Sequence, residues 1–222
     1  AERFDSEGIL AGTSSQRISV TDNLVLAAGG PEEVLVGPRW RGEDQRILDV
    51  LVEGNLFRVG PDNSPALAIT AADVTIRNNA IDLSQATTQV AFAVRWRPGE
   101  PEPRAVALLH NTAYCSQAGE VVFALVDDLA GAVTCTNNLL VAPLASAIAF
   151  LVSSGATVPT LGNHGTTDRC ISGSPPVEAN DFQLLAGCAA RDAGEPVPVL
   201  DDFSGLRRPQ GEGHDTGAFE SP

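Results

Sequence analysis

The residues best suited to chemistry gather in one stretch: Arg95, Trp96 and Arg97, then Arg104, with Asp127 and Asp128 further on. Guanidinium groups recognise carboxylates through paired hydrogen bonds and an indole offers a stacking face, so this set suits an acidic sugar. The paired carboxylates suit calcium, a hard cation that prefers oxygen. A solvated turn with ordinary ion pairs is the plainer reading of the same residues. Asp201-Asp202 and Glu212-x-His214-Asp215 form a second oxygen-rich set, which reads either as calcium ligands or as turn caps. Trp40, between Arg39 and Arg41, offers a flat platform for a sugar ring, or a packed loop aromatic. Calcium is thus the one cofactor these residues suggest, and no other is expected.

Several chemistries are excluded. Every basic residue is Arg, with no Lys or Met, so mechanisms that need a Lys base, a Schiff base or a P-loop Lys are removed. The formal charge of −14 repels phosphate backbones and argues against nucleic acid. Cys115, Cys135, Cys170 and Cys188 include no CxxC and no Cys/His cluster, which disfavours zinc. Their even number allows disulfides, with buried free thiols as the other reading; Cys170 and Cys188, both in loop-like sequence, are the favoured pair. No serine-nucleophile elbow or phosphate loop is present.

The elements that must position these residues follow from an internal repeat. Ile18-x-Val20-x-x-Asn23 returns as Val50-x-Val52-x-x-Asn55 and Val74-x-Ile76-x-x-Asn79. It returns again as Val106-x-Leu108-x-x-Asn111, Val133-x-Cys135-x-x-Asn138 and a weaker Val158-x-Thr160-x-x-Asn163. The Asn residues are spaced by 32, 24, 32, 27 and 25 positions, and Val25, Phe57, Ile81, Ala113 and Leu140 restore an apolar side chain after each of the first five. Such punctuation is the signature of a stacked solenoid.

A second element keeps its own register. Leu67 and Ile69; Val90, Phe92 and Val94; Val121, Phe123 and Leu125; and Ile148, Phe150 and Val152 alternate with the period of a strand. Each repeat therefore supplies a strand, an Asn corner, a short strand, a turn and another strand, which is one coil of a parallel β-helix. Stacking places Asn23, Asn55, Asn79, Asn111, Asn138 and Asn163 in a hydrogen-bonded ladder, with Asn tolerating the left-handed bend of a corner. It also predicts an aromatic stack of Phe92, Phe123 and Phe150 inside the coil. The long excursions, Ala27 to Gln45 and Arg97 to Arg104, are rich in Pro, Gly or charge and fall in turns. A leucine-rich repeat shares the Asn-centred core, but it has a return side without period-two alternation and a narrower spacing. An antiparallel sandwich is the remaining alternative.

At this point the residues resemble a known family. The coils are similar to those of right-handed parallel β-helix proteins of the pectate-lyase-like kind. The stretch Asp181-Phe-Gln-Leu-Leu-Ala-Gly-Cys-Ala-Ala-Arg-Asp-Ala-Gly194, with Asp202-Phe-Ser-Gly-Leu-Arg207 and Asp215-Thr-Gly-Ala-Phe-Glu220, resembles a closing motif. That motif, DFxLxxGSPAxDAG … DxxGxxR … DIGAFE, ends many secreted bacterial β-helix proteins, including choice-of-anchor proteins. Departures are Cys188 for the usual Ser, Arg191 for an apolar residue and Thr216 for Ile; the Cys fits a disulfide with Cys170. The resemblance implies an all-β, right-handed parallel β-helix solenoid of about six coils with an Asn ladder and a C-terminal cap. Residues 1–17 form an N-terminal segment or partial coil, 18–165 the coils and 166–222 the capping segment. Phe182, Leu184 and Phe219 are expected to anchor that cap over an open end.

In such families, polysaccharide-cleaving members use outward side chains of the strand aligned here by its Phe residues. In this register the outward set is Ala91, Ala93 and Arg95; Val122, Ala124 and Val126; and Ala147, Ala149 and Leu151, polar only at Arg95. Sugar cleavage needs converging carboxylates, a base or a cation, so this apolar sheet argues against catalysis. Asn111-Thr112-Ala113, Asp127-Asp128 and Asn163-His164-Gly165 echo a polygalacturonase order, but the first lacks its acid. A pectate-lyase-type Arg base among Arg95, Arg97 and Arg104 is the remaining catalytic option.

The longest apolar run, Leu139 to Val152, contains Pro143 and Ser146 and falls short of the roughly 20 residues of a membrane span. The opening Ala1-Glu2-Arg3-Phe4 has neither the basic nor the apolar part of a signal peptide, as expected of a mature chain or a fragment. The expectation is a secreted or surface-displayed, non-catalytic module with a structural, adhesive or glycan-binding role. The alternatives are a calcium-assisted polysaccharide lyase or glycoside hydrolase, and a module that docks a partner or itself through the apolar sheet. Expected partners are a polysaccharide or another protein chain covering that sheet.

Overall fold

A computed structural model describes residues 16–26, 34–37, 48–61, 65–95, 104–127, 132–153 and 158–221. Trp40, Trp96, Arg97 and Asp128, the segment 1–15 and most of both long excursions lie outside the described residues.

Each coil contributes up to three strands. Coil 1 holds β1 (Gln16–Thr21), β2 (Leu24–Leu26) and β3 (Val34–Val36), and coil 2 holds β4 (Leu48–Glu53), β5 (Leu56–Arg58) and β6 (Leu67–Ile69). Coil 3 holds β7 (Ala72–Arg77), β8 (Ala80–Asp82) and β9 (Val90–Val94), and coil 4 holds β10 (Val106–Leu109), β11 (Thr112–Tyr114) and β12 (Gly119–Val126). Coil 5 holds β13 (Val133–Thr136), β14 (Leu139–Val141) and β15 (Ala145–Ser153), and coil 6 adds β16 (Thr160–Leu161) and β17 (His164–Thr166).

Equivalent strands stack into three sheets. Sheet 1 is β1-β4-β7-β10-β13-β16, sheet 2 is β2-β5-β8-β11-β14-β17 and sheet 3 is β3-β6-β9-β12-β15. All their pairings are parallel, as stacked coils of one chain require. The molecule is a parallel β-helix.

The repeat explains the register. Ile18, Val50, Val74, Val106 and Val133 stack in one column, and Val20, Val52, Ile76, Leu108 and Cys135 in the next. Sheet 2 stacks Val25, Phe57, Ile81, Ala113 and Leu140, ending on Gly165. A side chain on Gly165 would meet Ile148 Cγ2 at 2.9 Å, so only hydrogen fits where β17 crosses β15. These columns form one continuous apolar core. Each fully buried Val, Ile, Leu or Phe contributes about 1.5–3 kcal/mol.

The left-handed residue at the corner is not the ladder Asn but the residue before it. Asp22, Gly54, Asn78, His110, Asn137 and Gly162 all have φ between +49° and +67°. Gly, Asn, Asp and His are the residue types that enter this region most readily.

Sheet 3 corrects the alternation expected from its sequence. Phe92 is in register with Ala124, not Phe123, and Ala124 in turn with Leu151. Ala91, Ala124 and Val126 join the buried core, and Leu151 packs on it. Leu125 and Val152 were expected inside; Leu125 is half-buried and Val152 is 37% exposed. Consecutive core residues at Phe123 and Ala124 reverse the faces halfway along β12. The aromatic side chains still meet: Phe92 and Phe123 have ring centroids 5.1 Å apart, and Phe123 and Phe150 stack at 4.6 Å.

The closing segment lies along the flank of the solenoid rather than across its end. Its Phe182 and Phe219 are buried against Leu56, Ala80, Tyr114 and Leu139, which face outward from sheet 2. Leu184 is half-buried in the same second core. The reason is visible in the strands: the outward face of sheet 2 carries Leu56, Ala80, Tyr114, Leu139 and Val141, and apolar side chains on a second face need a cover. A disulfide joins Cys170 to Cys188 within this cover, with Cα atoms 5.0 Å apart. Cys115 and Cys135 are buried free thiols, and burial pushes the Cys135 thiol up to about 12.

Candidate functional site

The six ladder amides form one directed chain. In each step the backbone N–H and the side-chain Nδ2 of one Asn both donate to Oδ1 of the Asn in the following coil, at 2.8 to 3.1 Å. Each Nδ2 from Asn55 onward also donates to a carbonyl of the preceding coil, as Asn79 does to Val52 O and Asn111 to Ile76 O. Asn55, Asn79, Asn111 and Asn138 are fully buried, where an unmade hydrogen bond costs about 1–3 kcal/mol. The ladder is therefore structural, and Asn111 and Asn163 of the polygalacturonase-like pattern belong to it. Thr112 is likewise occupied: its Oγ1 accepts the N–H of Ala218 at 2.8 Å.

One residue upstream, the left-handed column turns its polar groups outward to the closing segment. Asn78 Nδ2 donates to Asp201 O at 2.7 Å. Asn137 Oδ1 accepts Glu195 N and its Nδ2 donates to Glu195 O, both at 2.7 Å. Asn137 O accepts Gly217 N at 2.7 Å, and Gly162 O accepts Thr216 Oγ1 at 3.0 Å. Sequence reasoning missed this rail, although the succession Asp, Gly, Asn, His, Asn, Gly before the ladder was a readable signal.

His110 occupies the rail's fourth place, fully buried. Asn137 Nδ2 lies 3.0 Å from its Nε2, so that nitrogen accepts and the proton of the neutral ring sits on Nδ1. Burial first, then the nearby Arg208 and His214, lowers its pKa to about 2. His214, whose ring centroid is 5.7 Å away, is lowered too by burial and Arg208.

Arg208 and Glu220 form a fully buried ion pair at 2.8 Å. Arg208 Nη2 donates to Gly217 O at 2.8 Å and to Asn78 Oδ1 at 3.3 Å, tying the pair to coil 3. Burial pushes Glu220 above the usual carboxylate range even with the guanidinium beside it. Counted from Asp202 and Gly205, the Arg of DxxGxxR falls on Arg208, the buried cation, while its neighbour Arg207 is exposed.

Two of the acidic residues proposed for calcium, Asp202 and Asp215, serve the backbone. Asp202 Oδ1 accepts the N–H groups of Ser204 and Leu206, and its Oδ2 accepts that of Glu220. Asp215 accepts the N–H groups of Asp192 and Ser221. Asp201 and Glu212 are exposed. Among the described residues no group of three or more His, Cys, Asp or Glu side chains is arranged to hold a metal ion.

At the edge between sheets 3 and 1, Arg95 follows β9 and Asp127 follows β12 one coil later. Asp127 N donates to Val94 O at 3.0 Å, which stacks the two residues at equivalent positions, both half-buried. Arg104 enters sheet 1 at the same edge, exposed, its carbonyl accepting Asp73 N at 2.8 Å. This edge brings together three of the six residues first singled out; Trp96, Arg97 and Asp128 lie outside the described residues. A separate open depression of about 650 Å³ lies in the closing segment between Gln183, Leu184, Arg191, Ser204 and Leu206.

Comparison with protein-family models, curated proteins and solved structures finds no match for this chain.

Proposed function

We propose that this chain is a secreted or surface-displayed β-helix module that presents a surface, in a structural, adhesive or glycan-binding role, without catalysing a reaction. One observation carries the reading. The polar side chains with the strongest environments, Arg208, Glu220, Asp202, Asp215, His110 and the ladder amides, are bonded to backbone or to one another inside the fold. Their chemistry is committed to architecture. The Cys170–Cys188 disulfide fits an oxidising compartment. The likeness of residues 181–220 to the closing motif of secreted β-helix proteins supports the extracellular part of this reading.

Within it, the glycan-contacting edge is the turn between sheets 3 and 1, where Arg95, Arg104 and Asp127 lie, and which Trp96, Arg97 and Asp128 adjoin in sequence. The test incubates the chain with polygalacturonate, alginate and neutral glucans, with and without calcium. Binding is followed by co-sedimentation, and cleavage by ultraviolet absorbance of unsaturated products and by new reducing ends. Retention on an acidic glycan without cleavage, weakened by Arg95→Ala with Arg97→Ala, is the expected outcome. Calcium-dependent cleavage lost in Asp127→Asn would replace this reading with the calcium-assisted lyase or hydrolase.

A further inference from the structure

The interior of the solenoid is dry in the middle and half-exposed toward its ends. The apolar side chains packed on the main core but only partly buried include Ile18, Val20 and Val25 in coil 1, and Ile148, Phe150 and Val158 in coils 5 and 6. Among the described residues, β1, β2 and β3 are the outermost strands at one end, and β16 and β17 with β15 at the other. Edge strands carry unpaired N–H and C=O groups and seek a partner.

The ladder gives these ends opposite chemistry. Asn23 donates forward to Asn55 Oδ1, so its own Oδ1 is the acceptor that a preceding coil would fill. Asn163 Oδ1 accepts both donors of Asn138. The Asn163 backbone N–H and Nδ2 are then the donors that a following coil would use. Among the described residues, one end of the solenoid is thus an acceptor and the other a donor pair.

We propose that copies of this chain stack head to tail, coil 1 of one copy on coil 6 of the next, with Asn163 donating to the neighbour's Asn23 Oδ1. The stack sets β1 against β16 and β2 against β17 in the parallel sense used throughout the fold, at the usual spacing of about 4.8 Å. Sheet 3 stops one coil sooner, at β15, so sheets 1 and 2 carry the contact. A two-fold arrangement of like ends fails on the same atoms, because it sets donors against donors and turns parallel edges antiparallel. The contact is heterologous and does not close, so growth is open-ended. The charge of −14 on every copy opposes it, and salt screens that repulsion. This inference is independent of the proposed secreted, glycan-binding role.

The test measures mass by sedimentation velocity over a wide range of concentration, at low and high salt. Three forms of the chain are used: wild type, Leu161→Lys on β16 and Leu24→Lys on β2. Both leucines are exposed, at 58% and 45%, so an unchanged circular dichroism spectrum and melting temperature are expected of each variant. Wild type should grow in steps of 23.1 kDa past the dimer as concentration and salt rise. Each variant alone should need at least roughly tenfold more protein to reach the same mean mass, the effect of about 1.4 kcal/mol lost at the contact. Mixed together, the two variants should form a dimer that goes no further, since each keeps the end that the other lacks. A wild type that stays monomeric at high concentration and high salt overturns the proposal. So does growth that stops at a dimer, or a mixture that behaves as the sum of its parts.

Discussion

His110 should make the stability of this fold fall with acidification in a way that one substitution removes. Unfolded, the imidazole titrates near 6.5; in the corner it is held neutral down to about 2. Between those values the unfolded chain binds a proton that the folded chain refuses. The slope of unfolding free energy with pH is then positive, so the contribution is intact above about pH 6.5 and is lost as pH falls. At pH 5 the loss is about 2 kcal/mol, and it hardly depends on the folded value so long as that lies well below 5. For a chain of this size it lowers Tm by about 4–8 °C. His110→Asn is the informative variant, because Asn78 and Asn137 already hold the same left-handed corner position in coils 3 and 5. The assay follows Tm of both proteins by circular dichroism from neutral pH to pH 5. His214, lowered likewise, and Glu220, raised and so acting with the opposite sign, contribute to both proteins and cancel in the difference. Wild type should lose about 2 kcal/mol more than the variant over this interval. Parallel curves would mean that the corner accommodates an imidazolium, and would refute the placement of His110 between Asn137, Arg208 and His214.

Three further outcomes follow from the same geometry. Asn111→Ala strips partners from Asn79 N, Asn79 Nδ2 and Ile76 O, and should cost about 3 kcal/mol or more in denaturant titration, whereas Asn23→Ala at the ladder's half-buried start should cost less than about 1 kcal/mol. Replacing Cys170 and Cys188 with Ala opens a loop with a sequence separation of 18 and should destabilise the fold by about 3 kcal/mol, with limited proteolysis starting within residues 170–190. Arg208→Met leaves Glu220 buried without its cation and should cost about 3–5 kcal/mol, of which adding Glu220→Leu should restore a large part.

Much of the fold was legible because a solenoid repeats its own constraints. An Asn that must hydrogen-bond to the Asn of the next coil imposes the same residue type at each corner, and the apolar residues five and three positions earlier mark the two inward columns of sheet 1. Sheet 3 was harder for a physical reason. Val121-Val-Phe-Ala-Leu-Val126 is apolar at every position, so period-two reasoning fixes an alternation but cannot register its reversal at Phe123-Ala124. The flank was harder still. The spacing of DxxGxxR points to Arg208, but nothing in the sequence pairs it with Asn78, 130 residues away, and Glu220, 12 residues away. The path of the closing segment depends on a partly apolar outward face of sheet 2, a feature spread over short strands of three residues each and interrupted by Arg58, Asp82 and Thr112.

The ladder and the flank cover share a cause, and this limits how the molecule can vary. A left-handed residue before each ladder Asn swings the chain through the corner, so that the Asn side chain points along the stack while the left-handed residue's own polar groups point away from it. The first consequence makes the ladder; the second makes the rail to which Glu195, Asp201, Thr216 and Gly217 attach. A β-branched residue at such a corner therefore does double damage, misdirecting the ladder amide and withdrawing a partner from the cover. Asn does more there than Gly: Gly54 and Gly162 make the bend, but only Asn78 and Asn137 also reach across with a side-chain amide. His110 makes the same bend and lends its Nε2 to Asn137, at the cost of a corner that must exclude protons.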